Sequence, residues 1–393
     1  MNRDSFFKHQ APTTPFPLAL EIERAQGVYL YGPQGERYMD FISGVGVSNI
    51  GHCHPRVVEA IKDQADRHLH TMVYGEYIQS APSQLAQKLS SLLPEQLNCV
   101  YFTNSGTEAI EGALKLAKRA TERTKIFSYR GAYHGSTHGA LSVSGNETKK
   151  RAFRPLLPDV HFLHLNKMEE LNRIDEHTAA VLLEPIQGDA GIRLSEYEYL
   201  QALRQRCDEV GALLIFDEIQ SGMGRTGKLF AFEHYEVIPD ILCSAKALGG
   251  GLPLGAFIAD KALMETLIDR PMLGHITTFG GNSVACAASL ATLAVMEEEQ
   301  LLEQAEAKGA LIEKLLEHPK VLEIRRKGLY FAIEFKDAEQ VQEIVEYCLS
   351  KGVICFWFLS CPESFRIAPP LTITETEIKE ACQIIQEAFG RLD

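Results

Sequence analysis

Residues 99–120, CVYFTNSGTEAIEGALKLAKRA, carry two periodicities back to back. CVYFTN is a short apolar run rich in β-branched and aromatic residues, the pattern of a buried strand. TEAIEGALKLAKRA repeats its apolar residues at helical spacing. Between them stands Ser105-Gly106-Thr107-Glu108, an S-x-x-E capping box. The same rhythm continues through KIFSY (125–129), AAVLLEP (179–185), ALLIFDE (212–218), ILCSAKA (241–247) and LGAFIA (254–259), with helical stretches such as YEYLQALRQRCDEVG (197–211) between. Apolar strands alternating with amphipathic helices predict a mostly parallel sheet covered on both faces. The last two runs are too close for a crossover helix, so an antiparallel strand is expected there.

The flanks differ. VYLYGPQGERYMDF (28–41) reads as a hairpin around a Gly-Pro turn. Beyond residue 283 come long helical stretches, the short strands LYFAIEF (329–335) and GVICFWF (352–358), and a helical tail, TETEIKEACQIIQEAF (374–389). A chain of 393 residues is long for one core. The expected division is an N-terminal segment with the hairpin (1–50) belonging to the smaller lobe, a large domain (51–283), and a small α+β domain (284–393) joined through a helix near 283–315.

Apolar content of 45% and charged content of 23% suit a soluble globular protein. The net charge of −13 disfavours non-specific binding to nucleic acid or anionic membranes. No run approaches the roughly 18–20 apolar residues that span a bilayer, and the start, MNRDSFFKHQAPTTPFP, lacks an apolar leader core. Nine scattered cysteines without a CxxC pair fit small buried hydrophobes in a reducing compartment. A cytoplasmic enzyme is the expectation.

Ligands of open α/β sheets sit beyond the carboxyl ends of the strands. There stand Asn104 to Glu108, Tyr133-His134-Gly135-Ser136, Glu184 with Gln187-Gly188-Asp189, Asp217 with Ile219-Gln220, and Lys246. Ser-Gly-Thr before a helix offers free N–H groups and a positive helix end to a phosphate, although Ser105 and Glu108 also make sense as a plain cap. Asp217 ends an apolar strand, where a carboxylate needs a cation or a strong donor. A structural partner would do; so would the ring N–H⁺ of a cofactor whose aldehyde takes Lys246 and whose face stacks on Tyr133. Pyridoxal phosphate has all these parts.

Other motifs are weaker. GMGRTG (222–227) matches G-x-G-x-x-G, but the continuation KLFAFEHYEVIPD lacks the helix and later acid of a dinucleotide site. GHCHP (51–55) holds two histidines without further ligands nearby and reads as a turn opening a helix, so no metal is expected. The sequence contains no phosphate-loop, G-x-S-x-G or HExxH motif.

Taken together, these stretches resemble the class III (subgroup II) pyridoxal-phosphate aminotransferases, nearest the ornithine, acetylornithine and 4-aminobutyrate enzymes. The likeness runs from about Leu20 to the C-terminus. It rests on SGVGVSNIGHCHP (43–55), NSGTEA (104–109), YHG (133–135), LEPIQGDAG (183–191), DEIQSGMGRTG (217–227), AKALGGGLPLGA (245–256), TTFGGN (277–282) and FRIAPPLTIT (365–374), in family order. The resemblance implies fold type I: an α/β large domain with a mainly parallel seven-stranded sheet, plus a smaller α+β domain, in a homodimer with active sites at the interface. It implies that Lys246 is the Schiff-base lysine and proton shuttle, that Asp217 keeps the pyridine nitrogen protonated, and that Gln220 bonds the ring hydroxyl. Tyr133 and Ile219 would cover the ring faces, and Ser105, Gly106 and Thr107 would hold the phosphate with Thr278 of the partner subunit; His134 and Glu184 join the same shell. The glycines after Lys246 would let backbone pack close to the cofactor.

For substrate, the resemblance implies that Arg366 binds the α-carboxylate of 2-oxoglutarate and that an acid, here Asp189 in place of the usual glutamate, pairs with it when an ω-amine donor is bound. One methylene less predicts a longer or water-bridged pair; a fixed structural ion pair is the alternative. Val45 and Ser136 complete the expected substrate set. Ser136 stands where this branch usually has a second arginine, and serine cannot form a bidentate ion pair. The N-terminal tyrosine that helps hold ornithine falls near Pro15. Both departures weigh against ornithine and acetylornithine, with Arg151 or Arg154 as replacement charges. The reading is transfer from an ω-amino acid or related amine to a 2-oxo acid. The alternatives are an ω-amine:pyruvate transaminase, or a racemase/epimerase or aminomutase on the same scaffold.

Overall fold

The computed structural model describes residues 2–392. Its central sheet has seven strands: β1 (Cys99–Thr103), β2 (Lys125–Tyr129), β3 (Val160–Leu163), β4 (Thr178–Leu183), β5 (Leu213–Asp217), β6 (Ile241–Ser244) and β7 (Gly255–Ala259). They lie in the order β1-β7-β6-β5-β4-β2-β3. β7 is antiparallel to both neighbours, as the short β6–β7 link requires, and the other pairings are parallel. β3, VHFL, is the strand the sequence reading does not mark. It sits at the edge, where only Leu163 is buried, so its apolar signal is weak.

Side chains of a strand alternate between faces, and both faces here are covered. Val181 and Leu183 of β4 belong to one core with Phe127, Phe216, Leu200 and Leu203. Ala180 and Leu182 belong to a second core with Ile215, Ala113 and Leu116. Leu200 and Leu203 come from the helix Tyr197–Val210, Ala113 and Leu116 from the helix Gly106–Thr121. Each fully buried leucine or phenylalanine contributes about 1.5–3 kcal/mol. The sheet is therefore rigid where it must be: at the shared edge where β1, β2, β4, β5 and β6 end.

The chain after residue 283 departs from the expectation in two places. The 283–315 connector is two helices, Ser283–Glu298 and Leu301–Leu315, broken at Gln300, whose φ of 51° is left-handed. GVICFWF is two strands in two sheets. Val353–Ile354 pair with Met39 and Asp40 beside the N-terminal hairpin, whereas Phe356–Trp357 pair with Arg366 and Phe365. The latter sheet contains Glu323–Lys327, Tyr330–Glu334, Phe356–Trp357 and Ser364–Ile367, and it delivers Arg366 toward the strand ends.

Candidate active site

A pocket of about 270 Å³ opens at the carboxyl edge of the sheet. Gly106, Thr107, Tyr133, His134, Ser136, Glu184, Asp189, Asp217, Ile219, Gln220 and Lys246 all line it. Most of the residues singled out from separate strand ends thus meet in one place.

Asp217 closes β5 and is buried. Its Oδ2 lies 2.7 Å from Nδ1 of His134, and its Oδ1 accepts from the Ile219 amide at 3.0 Å. The buried His134 is in turn 3.4 Å from Ser128 Oγ. Glu184, one residue beyond β4, accepts from the amides of Tyr133 and Gly188, each at 3.3 Å. Burial, then the neighbouring Asp217 charge, pushes its carboxyl well above the usual carboxylate range. The two acids have different partners: Asp217 meets an imidazole and a backbone amide, Glu184 two backbone amides.

Lys246 follows β6 by two residues and opens a tight turn with φ of 48°. Such a backbone is uncommon for a residue with a side chain and persists where its surroundings hold it. Burial lowers its ammonium to about 8, Arg366 repels it further, and Asp217, Glu184 and Asp189 partly offset both. Free amine is thus far more accessible than in an ordinary lysine, with the ammonium still the main form at neutral pH. The glycines that follow do not approach the pocket. Gly250 and Gly251 supply φ of 59° and 98°, and a Cβ on Gly250 would stand 2.4 Å from Thr292 Oγ1 and 3.0 Å from the Ala288 carbonyl. Gly250 lets the turn pack on the helix Ser283–Glu298, and none of the three glycines lines the pocket, contrary to the expectation that they lie close to a cofactor.

Ser105 caps the helix Gly106–Thr121, its hydroxyl accepting from the Glu108 amide at 3.3 Å. Glu108 reaches back to the Asn104 amide rather than to Ser105, so the expected box is shifted by one residue. The amides of Gly106 and Thr107 have no partner among the described residues and end in the pocket. This is the anion-binding end of a helix dipole. Gly135 has φ of 128°, and a Cβ there would fall 2.4 Å from Thr107 Oγ1, so glycine keeps this corner open. Nε2 of Gln220 is buried without a partner. An unfilled donor of this kind is costly unless a ligand acceptor meets it. A phosphate acceptor corner, an unpaired buried donor, a buried carboxylate and a buried amine together fit pyridoxal phosphate.

Arg366 is buried; its Nη2 donates to Asp189 Oδ1 at 3.2 Å, its Nε has no partner, and its guanidinium lies 4.4 Å from the Phe358 ring centre. The pair is direct rather than water-bridged, and at 3.2 Å it is long for an ion pair, as the shorter acid leads one to expect. The acid is shared with the loop 358–361. The Leu359 amide (3.2 Å) and Ser360 Oγ (3.0 Å) also donate to Asp189, and Asn146 Nδ2 donates to Ser360 Oγ at 3.0 Å.

Besides Arg366, three expected residues do not line this pocket. Val45 sits half-buried in the turn Ser43–Gly46 with φ of 65°; its neighbour Gly46 approaches Gln220, leaving 3.4 Å between a Cβ there and Gln220 Cγ. Thr278 is exposed in the loop before Ser283–Glu298, and Ser105 is engaged as a cap. The GMGRTG segment is a loop whose Arg225 is fully buried. Its Nη1 donates to the carbonyls of Leu329 (3.0 Å) and Pro369, and its Nη2 to Ser43 Oγ (3.4 Å) and Asn49 Oδ1. His52 and His54 diverge, to Asp40 (2.8 Å) and Glu299 (3.4 Å), as a turn rather than a metal site would have them. Among the described residues Glu334, Cys361 and Glu363 also cluster, but Arg325 already pairs with Glu334 there.

The whole arrangement has known counterparts. The class-III aminotransferase family matches residues 10–389. The acetylornithine aminotransferase of Methanopyrus kandleri is 39% identical over 384 residues, 97% of this chain and 96% of that protein. The solved ornithine aminotransferase of Toxoplasma gondii superposes with a TM-score of 0.91 at 30% identity, covering 98% of this chain and 94% of that one. An amine transaminase from an uncultivated Pseudomonas species, solved with pyridoxal phosphate bound, gives 0.90 at 28% identity over 98% and 99% of the two chains. The chain belongs to the class-III aminotransferases, a family of fold type I transaminases that use pyridoxal phosphate.

Proposed function

We propose, from the premise that the chain is a class-III aminotransferase, that it moves the amino group of an ω-amino acid or related amine, of the acetylornithine and ornithine kind, to 2-oxoglutarate. The observation that carries this reading is the buried Lys246, its ammonium lowered to about 8, in one pocket with Asp217 and beside Arg366. Pyridoxal phosphate, when bound, supplies an aldehyde and a ring that withdraws electrons from the substrate carbon. Lys246 Nζ would hold the aldehyde and, as a free amine once the substrate's own amine stands in its place, would move the proton at the substrate carbon. Asp217, oriented by His134, would hold the proton on the ring nitrogen. Gln220 Nε2 would meet the ring hydroxyl, and Tyr133 and Ile219 would cover the ring. Gly106 and Thr107 would hold the phosphate with the Ser105 turn and Thr278 of the partner subunit.

Arg366 binds the carboxylate of the acceptor, and Asp189 neutralises it while the donor occupies the pocket. Leu359 and Ser360 support such an exchange. When Arg366 lets go, Asp189 keeps two donors and is not stranded as a bare buried charge.

The reading includes a homodimer. Leu69, Met72, Tyr77 and Ile78 are exposed apolar residues, and their segment is joined to that of Ile276 and Phe279 through the Tyr74 amide on the Thr277 carbonyl (3.2 Å) and the His70–Phe279 ring contact (5.0 Å). An apolar surface of this kind needs cover, and Thr278 lies within it. The proposed lobes follow the sheets: the seven-stranded sheet with its helices, and the C-terminal sheet with the N-terminal hairpin against it. Nine free cysteines suit a cytoplasmic location, and no described helix is long and apolar enough to cross a membrane. The test is an amine panel added to the holoenzyme with 2-oxoglutarate. Glutamate should form in step with the aldehyde derived from the amine; no glutamate with any amine refutes the reading.

A further inference from the structure

Ser136 in place of an arginine leaves any second charge on the donor without a reader inside the pocket. Beyond Tyr133, Ser136 and Asp189, which line both spaces, opens a chamber of about 520 Å³. Leu141, Phe153 and Leu359 give it apolar walls, and Lys149 also faces it. Asp189 is the one carboxylate in its lining and is already on Arg366.

The cations of the segment 149–154 have different fates. Arg154 pairs with Glu147 at 2.6 Å, and Arg151 is exposed and lines neither space, so neither replaces the absent arginine. Lys150 turns inward onto the Ser142 and Ser144 carbonyls (3.3 and 2.8 Å) and the Phe162 ring (4.0 Å). Lys149 has no carboxylate partner among the described residues. Lys149 is exposed at the edge of a mostly apolar chamber with no spare acid, and a cation there favours an anion on an apolar stem.

We infer that this chamber seats the far end of the amino donor and that Lys149 binds a carboxylate there, so that the favoured donor is a primary amine carrying a carboxylate across an apolar spacer. The inference rests on the reading that the Lys246 pocket takes the amine.

Two measurements on the holoenzyme test it. The first is calorimetric binding of hexanoate, an apolar stem with a carboxylate and no amine. Its affinity should fall about tenfold or more in Lys149→Met, recover in Lys149→Arg, and stay within about twofold in Arg366→Ala. Absence of binding to the unmodified protein, or binding that follows Arg366 and ignores Lys149, overturns the inference. The second is bleaching of the cofactor's visible absorbance by 5-aminopentanoate against pentylamine, without any oxo acid. Lys149→Met should remove the preference for the carboxylated amine; an equal effect on both amines counts against it. If hexanoate binds as expected but neither amine bleaches the cofactor, the proposed amino transfer fails while the anion chamber stands.

Discussion

The proposed cofactor end and the proposed substrate end of the site are built differently. At the cofactor end, Asp217 closes β5, Glu184 directly follows β4 and Lys246 comes two residues after β6, and Asp217 is fixed by His134 at 2.7 Å. At the substrate end, Asp189, Ser360 and Lys149 come from loops, and Phe153 and Leu359 at the rim are 55% and 51% exposed. Chemistry common to all transaminations tolerates no displacement of its groups, so it sits on the sheet. Discrimination between substrates sits on segments that change without disturbing the core.

Substitutions sharpen this contrast. Lys246→Ala removes both the amine and the proton carrier, and turnover should fall by at least about 10²–10⁴-fold with loss of the cofactor's visible absorbance. Retention of either in the purified variant would remove Lys246 from the mechanism. Asp217→Asn should cost about 10²–10³-fold in kcat, because the ring nitrogen loses its charge partner. Near-normal kcat would show that His134 and Asp217 only brace the fold. Arg366→Ala should raise the KM for 2-oxoglutarate by about 10- to 100-fold while amines still bleach the cofactor. A matching loss in the amine step would make Arg366 a structural residue. Ser360→Ala should raise the same KM about fivefold, one ordinary hydrogen bond's worth, because Asp189 then releases Arg366 less readily.

The lowered lysine adds a pH test of the cofactor end. Below about 8 the Lys246 ammonium of the apoenzyme is protonated and lacks a lone pair. Uptake of pyridoxal phosphate should therefore quicken as pH rises and reach half its limiting rate near pH 8. A profile flat from pH 6 to 9 would contradict the assigned environment.

The same contrast explains what was legible in the sequence. Strand runs such as AAVLLEP and ALLIFDE announce themselves because both faces are buried, and their last residues follow from topology. Edge strand β3 is too exposed to announce itself, and nothing like Gly or Pro marks the break at Gln300. GVICFWF divides between two sheets because its first strand pairs with Met39, far upstream in the chain, whereas its second pairs with the nearby Phe365. The Ser360–Asn146 support of Asp189 joins residues 214 positions apart, beyond any local pattern. Arg225 was hidden inside a glycine-rich decoy, yet it ties the turn Ser43–Gly46 to Leu329 and Pro369. Of the glycines after Lys246, Gly250 serves packing against the helix Ser283–Glu298, and none of them lines the pocket.

The most direct test separates the two half-reactions. Holoenzyme mixed with an ω-amino acid alone should lose its visible cofactor absorbance once per site and release one equivalent of aldehyde. After removal of the amine, 2-oxoglutarate alone should restore the absorbance and yield one equivalent of glutamate. Absorbance that no amine changes, or substrate conversion that continues without an acceptor, would contradict an amino-group transferase working through Lys246 and Arg366.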